Sequence, residues 1–201
     1  QACTAVLDGA TDPRLRVLRL PRNGGVSTAR NAGMAQARAD LIALLDADDI
    51  SLPDRLARQV ALMRQRPELG LCAGLSHTID EAGRRVQEAR DTLRLSEPAL
   101  AAVLLFLNPL TTSSFMVRRS ALPAQGFRSM LSEDYDLVVE IAATHPITLI
   151  PQALVEYRLS SGGAMSTRLE QVAAGAVAVQ RRQFQQLGIE AGYDAEIARS
   201  I

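Results

Sequence analysis

The feature that most constrains this chain is an uninterrupted apolar run, Leu41-Ile42-Ala43-Leu44-Leu45, that stops abruptly at Asp46-Ala47-Asp48-Asp49. A short apolar stretch bounded by polar residues reads as a strand buried on both faces, as in α/β sheets. Pro53 is suited to open a helix that runs to about Gln65, with Pro67 just beyond its end. The acids, with Asp54 close behind, therefore fall at the carboxyl end of a buried strand. In open α/β sheets that edge is where ligands bind.

Three carboxylates within four residues repel one another. At about 5 Å and an effective dielectric near 20, each pair costs roughly 3 kcal/mol. A divalent cation offsets that repulsion and can bridge a substrate's phosphates, since oxygen sites for magnesium or manganese keep positions open for phosphate and water. The plainer reading is a solvated turn in which Asp48 or Asp49 bonds its own backbone.

The rest of the chain supplies the frame. Residues 1–9 read as the tail of a helix, Asp12-Pro13 as a turn, and Leu15–Leu20, where apolar residues interleave with arginine, as a strand. After Gly24-Gly25, residues 26–38 suit a helix packed on a sheet, so strand, helix and strand follow in the order of a parallel sheet. Further strands are expected at Leu69–Ile79, Thr112–Val117, Ile147–Ile150 and Leu154–Leu159, with a hairpin turn at Asp80–Arg84. Helices are expected at Ser96–Asn108, at Glu133–Thr144 capped by Ser132, at Thr167–Leu187 and at Glu190–Arg199. The domain division that follows is 1–165 for the α/β unit and 166–201 for a helical segment.

Composition narrows the chemistry. The chain of 201 residues fits one domain, and its 22 basic residues balance 22 acidic ones, so no net field draws it to nucleic acid or an anionic surface. Every basic residue is arginine. The absence of lysine excludes a phosphate-loop lysine, a Schiff base and the lysine of a phospho-acceptor site, while arginine's planar fork still suits diphosphates. Cys3 and Cys72 form no ligand spacing, which fits a reducing compartment. The longest apolar run, Ala99–Leu107, is far short of the roughly 20 residues that cross a bilayer. His77 and His145 stand apart from any ligand spacing.

A second acidic group, Ser132-Glu133-Asp134-Tyr135-Asp136-Leu137, places acids in the first turn of an expected helix, where the helix dipole favours them without any catalysis.

Taken together, Gly24-Gly25-Val26-Ser27-Thr28-Ala29-Arg30-Asn31-Ala32-Gly33, Leu41–Asp49 and Leu52-Pro53-Asp54-Arg55-Leu56 closely resemble glycosyltransferase family 2. Glu133 to Leu159, with Glu-Asp-Tyr-Asp-Leu, Leu-Ile-Pro and Val-Glu-Tyr-Arg, resembles it too, in the same order and spacing. The resemblance implies an α/β fold of the glycosyltransferase A type, a mixed and mainly parallel sheet flanked by helices. It implies an inverting transferase that uses a nucleotide-diphosphate sugar, a carbohydrate or glycolipid acceptor and a divalent metal, Mn or Mg. Asp48 would be the principal metal ligand, Asp46 would touch the nucleotide or the metal's water shell, and Arg30 would contact the nucleotide. Asp134 would be the general base, and Glu133 would orient the acceptor or a backbone group. Acceptor contacts would fall within 111–130, a range that includes Arg118 and Arg119.

The chain departs from the family at two places. The opening strands that carry the base-binding acids are not visible, and Leu7-Asp8-Gly9-Ala10-Thr11-Asp12 imitates them only superficially, so the expectation is a chain that begins inside the following helix with the first strands missing. Ser160 stands where many relatives have histidine, which leaves the loop Tyr157–Gly163 its glycines, suited to a closing flap. The expected location is cytoplasmic, with the inner face of the membrane open to it. Two rival readings are a sugar-phosphate nucleotidyltransferase, which leaves Glu133-Asp134 unexplained, and a non-catalytic assembly module. A phosphoryl-accepting receiver domain is excluded by the missing lysine.

Overall fold

A computed structural model describes residues 7–89, 95–160 and 168–189 of the chain. The double glycine turns the backbone into helix α1 (Gly25–Gln36); Gly25 has φ 82°, a left-handed conformation that favours glycine. Asn31 pins α1 through two 2.8 Å bonds, its Nδ2 donating to the Phe127 carbonyl and its Oδ1 accepting from the Phe127 amide. The apolar run forms β1 (Leu41–Ala43), which is shorter than expected and lies at one end of the described sheet rather than buried on both faces, with Ala43 and Leu45 exposed; β2 (Ile50–Ser51) and helix α2 (Arg55–Gln65) follow across the acidic loop.

The sheet is centred on β3 (Leu71–Ile79), with β4 (Arg85–Gln87) returning beside it as a hairpin. After helix α3 (Glu97–Val103) comes β5 (Met116–Arg118), which pairs antiparallel with both β1 and β3. Helix α4 (Glu133–Ala142) leads into β6 (Ile147–Arg158), which pairs parallel with β3 and antiparallel with β2. The strand order is β1-β5-β3-β6-β2, and helix α5 (Leu169–Gln186) closes the described chain against α4. The sheet is mixed as expected; its parallel character rests on β3–β6, the longest pairing, while the other described pairings are antiparallel.

Alternation along the strands gives the sheet two packed faces. Leu71, Ala73 and Val117 join Leu137, Val138 and Ile141 of α4 in the larger core, whereas Cys72 and Met116 meet Met63 of α2 and Leu69 on the other side. Among the described residues no helix is long and apolar enough to cross a membrane.

Several local expectations are corrected. Residues 15–20 form no strand: Leu15, Val17, Leu18 and Leu20 are exposed, no described strand pairs with them, and Arg16 and Arg19 tie the segment to Gln36 and Asp8 instead. The order strand, helix, strand is therefore absent at this end. Thr112–Ser114 make a 3-10 turn rather than a strand, because the Ser114 hydroxyl bonds the Thr111 carbonyl and competes with ladder pairing. Helix α3 is shorter than expected, ending at Val103 rather than Asn108. The two strands expected at 147–159 are one, with register shifts where Pro151, which has no N–H to donate, interrupts pairing. Ser132 does not cap α4; it adopts φ 65° and its hydroxyl donates to the Val172 carbonyl at 2.8 Å. Cys3, the helix expected at Glu190–Arg199 and Ser161–Gly163 of the expected flap lie outside the described residues.

Candidate active site

The acidic loop is shaped from behind by a buried cation. Arg55, 2% exposed, lies in the first turn of α2 and donates from Nη2 to the carbonyls of Leu44 at 2.6 Å and Phe115 at 3.1 Å, while its Nε donates to Gln59 Oε1 at 3.1 Å. Desolvation pulls its pKa down, yet these acceptors satisfy it and tie the end of β1 to β5.

From that anchor the loop is gripped on two sides. The Asp46 amide donates to the Ser113 hydroxyl at 3.0 Å. At the end of β6 the Arg158 amide donates to Asp49 Oδ1 at 2.8 Å, and Arg158 Nε donates to the Asp48 carbonyl at 2.7 Å. Asp49 is thereby turned inward, with its Oδ2 buried and short of a well-formed hydrogen bond. Burial pushes its carboxyl up; the Ser113 hydroxyl and the Arg158 amide oppose that rise, and the charges of Asp48 and Asp46 add to it. The Asp48 side chain is exposed, and nothing among the described residues bonds it.

Arg30 joins the two acidic groups. Its Nη2 donates to both oxygens of Asp46, at 2.7 and 2.9 Å, and its Nη1 donates to Glu133 Oε1 at 2.7 Å. The guanidinium is 13% exposed and stacks 5.1 Å from the centre of the Phe127 ring. Arg30, which the family resemblance would set against the nucleotide, is paired with these two protein carboxylates. Burial pushes the Glu133 carboxyl up, the neighbouring charge of Asp134 adds to the rise, and Arg30 counters it.

Asp134, one residue further along the first turn of α4, is held at both oxygens. Oδ1 accepts from the Tyr135 amide at 2.8 Å, and Oδ2 accepts from the Thr112 hydroxyl at 3.0 Å and from Asn108 Nδ2 at 3.3 Å. Tyr157 of β6 lies among all these acids: burial raises its phenol, and Asp49, Asp48, Asp46 and Asp134 raise it further. Arg30 and Tyr157 together place the acidic loop and the start of α4 around one region.

Could this region take a divalent cation? Its donors are carboxylate oxygens, the type hard cations prefer, and the Asp48 carboxylate is exposed with no partner among the described residues. Among the described residues no three acids, histidines or cysteines converge on one point. A cation here would draw on Asp48, and on Asp46 only in exchange for its bonds to Arg30, so substrate phosphate and water would have to supply most of the shell.

Other expectations fall elsewhere. Arg118 donates to the carbonyls of Leu69 and Met63 at 2.9 and 2.8 Å, and Arg119 to that of Ala39 at 2.7 Å, so both brace main chain. Asp8 is exposed beside Arg19. His77 accepts from the Ala89 amide and lies 2.7 Å from Glu88, and His145 bonds Thr144. The bonds that Thr112, Asn108, Ser113 and Phe127 make here carry no local signal in the sequence, and Arg158, although it ends the Val-Glu-Tyr-Arg motif, gives no sign there that it holds the acidic loop.

Comparison with known proteins gives the family and the fold. The family described as "Glycosyl transferase family 2" matches residues 1–124. An amylovoran biosynthesis glycosyltransferase, AmsE of Erwinia amylovora, is 29% identical over 150 residues, 73% of this chain and 55% of that protein. An uncharacterized glycosyltransferase of Methanocaldococcus jannaschii is 30% identical over 164 residues, 79% of this chain and 56% of that protein. The chain thus spans a little over half the length of these relatives. Among solved structures, S. aureus TarS residues 1–349 in complex with UDP-GlcNAc superposes with a TM-score of 0.65 over 98% of this chain and 57% of that one, at 15% identity. That likeness gives the fold, the glycosyltransferase A type. With the family match covering most of the chain, this protein belongs to glycosyltransferase family 2.

Proposed function

We propose that the protein transfers a sugar from a nucleotide-diphosphate sugar to an acceptor hydroxyl, with inversion, assisted by a divalent cation, Mn or Mg, and with Asp134 as the general base. The observation that carries this reading is the Arg30 bridge, which sets the acidic loop and the start of α4 around one region. A sugar nucleotide has to lie between a diphosphate grip and a base, and these two groups supply both.

The acceptor oxygen attacks the anomeric carbon from the face opposite the diphosphate, the bond to the diphosphate breaks, and the hydroxyl proton passes to Asp134. A carboxylate is too weak to ionise a free alcohol, but the proton becomes strongly acidic as the carbon–oxygen bond forms, so a fixed carboxylate can take it late. Thr112, Asn108 and the Tyr135 amide fix it. A bound cation supplies Lewis-acid stabilisation of the departing diphosphate; Asp48 and Asp46 are the residues that would hold it. Glu133 acts here through Arg30, keeping the guanidinium beside Asp46.

The donor class is supported by TarS, described with UDP-GlcNAc. Relatives named for amylovoran and succinoglycan biosynthesis favour a carbohydrate or glycolipid acceptor in polysaccharide assembly. A cytoplasmic location, at the inner membrane face if the acceptor is a lipid-linked glycan, follows from that donor and acceptor.

The test uses the full-length protein. Thermal melting with manganese and uridine, guanosine or thymidine diphosphates should show stabilisation by at least one pair. Asp134→Asn should keep that binding and lose turnover by 10²-fold or more. Asp48→Ala should lose the metal dependence. Stabilisation by no pair, together with no donor turnover, would favour a non-catalytic module.

A further inference from the structure

We propose that α5 is the strut that positions Glu133 and Asp134, with Gly175 and Arg182 as positioning residues; this rests on the reading of Asp134 given above. Helix α5 lies outside the matched family region, which ends at residue 124. It grips α4 on both sides of the two acids.

On the amino-terminal side, Ser132 gives up the capping role and donates its hydroxyl to the Val172 carbonyl. One turn further along α5, Gly175 lies directly against the backbone that leads into Glu133. A Cβ there would lie 2.1 Å from the Leu131 oxygen and 2.8 Å from its carbonyl carbon. The obstacle is main chain, which no rotamer change relieves, so any side chain at 175 must drive α5 and residues 131–132 apart. On the carboxyl-terminal side, Arg182 Nη1 bonds Asp136, which is fully buried and also accepts from Arg128 at 3.0 Å. Arg182 Nη2 lies 3.3 Å from Glu140. Next to it, Gln183 donates to the Leu104 carbonyl at 3.0 Å and to the Tyr135 hydroxyl at 3.3 Å.

Residues 132, 135 and 136 are thus fixed by α5, and the acids between them have no freedom to slide along the helix axis. The acidic loop meets these acids through Arg30, but it has further supports of its own in Ser113, Arg55 and Arg158. Those supports do not involve α5, so the loop keeps its shape when α5 is disturbed. Disturbing α5 should degrade the chemical step while donor and metal binding persist. Misplacement by about 1 Å can cost on the order of 10²-fold in rate.

The experiment compares Gly175→Ala, Arg182→Met and Arg182→Lys with wild type and Asp134→Asn in the full-length protein. It measures kcat, donor KM, binding of manganese with the nucleoside diphosphate by calorimetry, and the folded fraction by circular dichroism. The expected result is kcat lowered at least tenfold per folded molecule in Gly175→Ala and Arg182→Met, donor KM and calorimetric affinity within about twofold, and partial recovery in Arg182→Lys. Wild-type kcat per folded molecule in Gly175→Ala and Arg182→Met, with Asp134→Asn inactive, would overturn the proposal. If Gly175→Ala does not fold, the Arg182 pair decides on the same readings. Wild-type turnover in Asp134→Asn would instead overturn the assignment of the base.

Discussion

Arg30 and Glu133, 103 residues apart in the chain, meet at 2.7 Å in a place where each is only 13% exposed. This contact, shared with Asp46, converts two acidic groups that repel each other into a single region held by one cation. Removing the guanidinium leaves two partly buried carboxylates unpaired, a change that costs several kcal/mol when burial is complete. Arg30→Met should destabilise the fold by about 2 to 3 kcal/mol, lowering Tm by roughly 6 to 10 °C by scanning calorimetry. Arg30→Lys should recover only part, since an ammonium cannot fork between Asp46 and Glu133. Equal melting temperatures for wild type and Arg30→Met would show that the bridge contributes nothing.

Asp49 makes stability depend on pH in a direction opposite to most surface acids. Its carboxyl is raised in the folded state by burial, so folding binds protons and stability falls as pH climbs from the ordinary aspartate range through the raised value. Above both values the cost is fully present; below both it vanishes. Asp49→Asn keeps an oxygen for the Arg158 amide and removes the charge. It should raise Tm by about 2 °C at pH 7 to 8, with the gain shrinking toward pH 4. A gain that grew on acidification would contradict the assignment.

Thr112 offers a test of Asp134 that leaves the acid in place. Thr112→Val preserves shape while deleting the 3.0 Å bond to Oδ2. We expect kcat to fall about tenfold, the effect of a charge-assisted bond of roughly 1.5 kcal/mol, with donor KM unchanged. An unaltered kcat would mean that this hydroxyl does not orient the base.

Cys72 reports on the far face of the sheet. Burial pushes its thiol up to about 12, so almost no thiolate exists at pH 8 and no reagent can reach it in the folded state. In a Cys3→Ser background, modification by a thiol reagent should be undetectable until denaturant unfolds the chain, and should then follow the loss of circular dichroism. Rapid labelling of the native protein would show that α2 opens from the sheet.

Much of this could be read from the residues in order. The run Leu41–Leu45 and the acids that end it, the proline before α2 and the acids that open α4 are local signals, because their physical cause lies within a few residues. Leu15–Leu20 misled for the complementary reason. Alternation predicts a strand only if a neighbouring strand supplies the ladder, and that partner is a long-range property. The same limit hid Thr112, Ser113 and Arg158, whose roles exist only once β5 and β6 have brought them to the acids. Ser132 showed a capping residue whose hydroxyl had a better use on α5, a choice no local rule encodes.

The bond from the Arg158 amide to Asp49 has a temporal consequence. Its partners are 109 residues apart, and the amide becomes available only when β6 has joined β3. During synthesis the first acidic group leaves the ribosome well before the strand end that bonds it, so this contact cannot form until β6 has been made. Pairings that close such long stretches of chain are slow, which makes the assembled carboxylate site one of the last features of this protein to come into being.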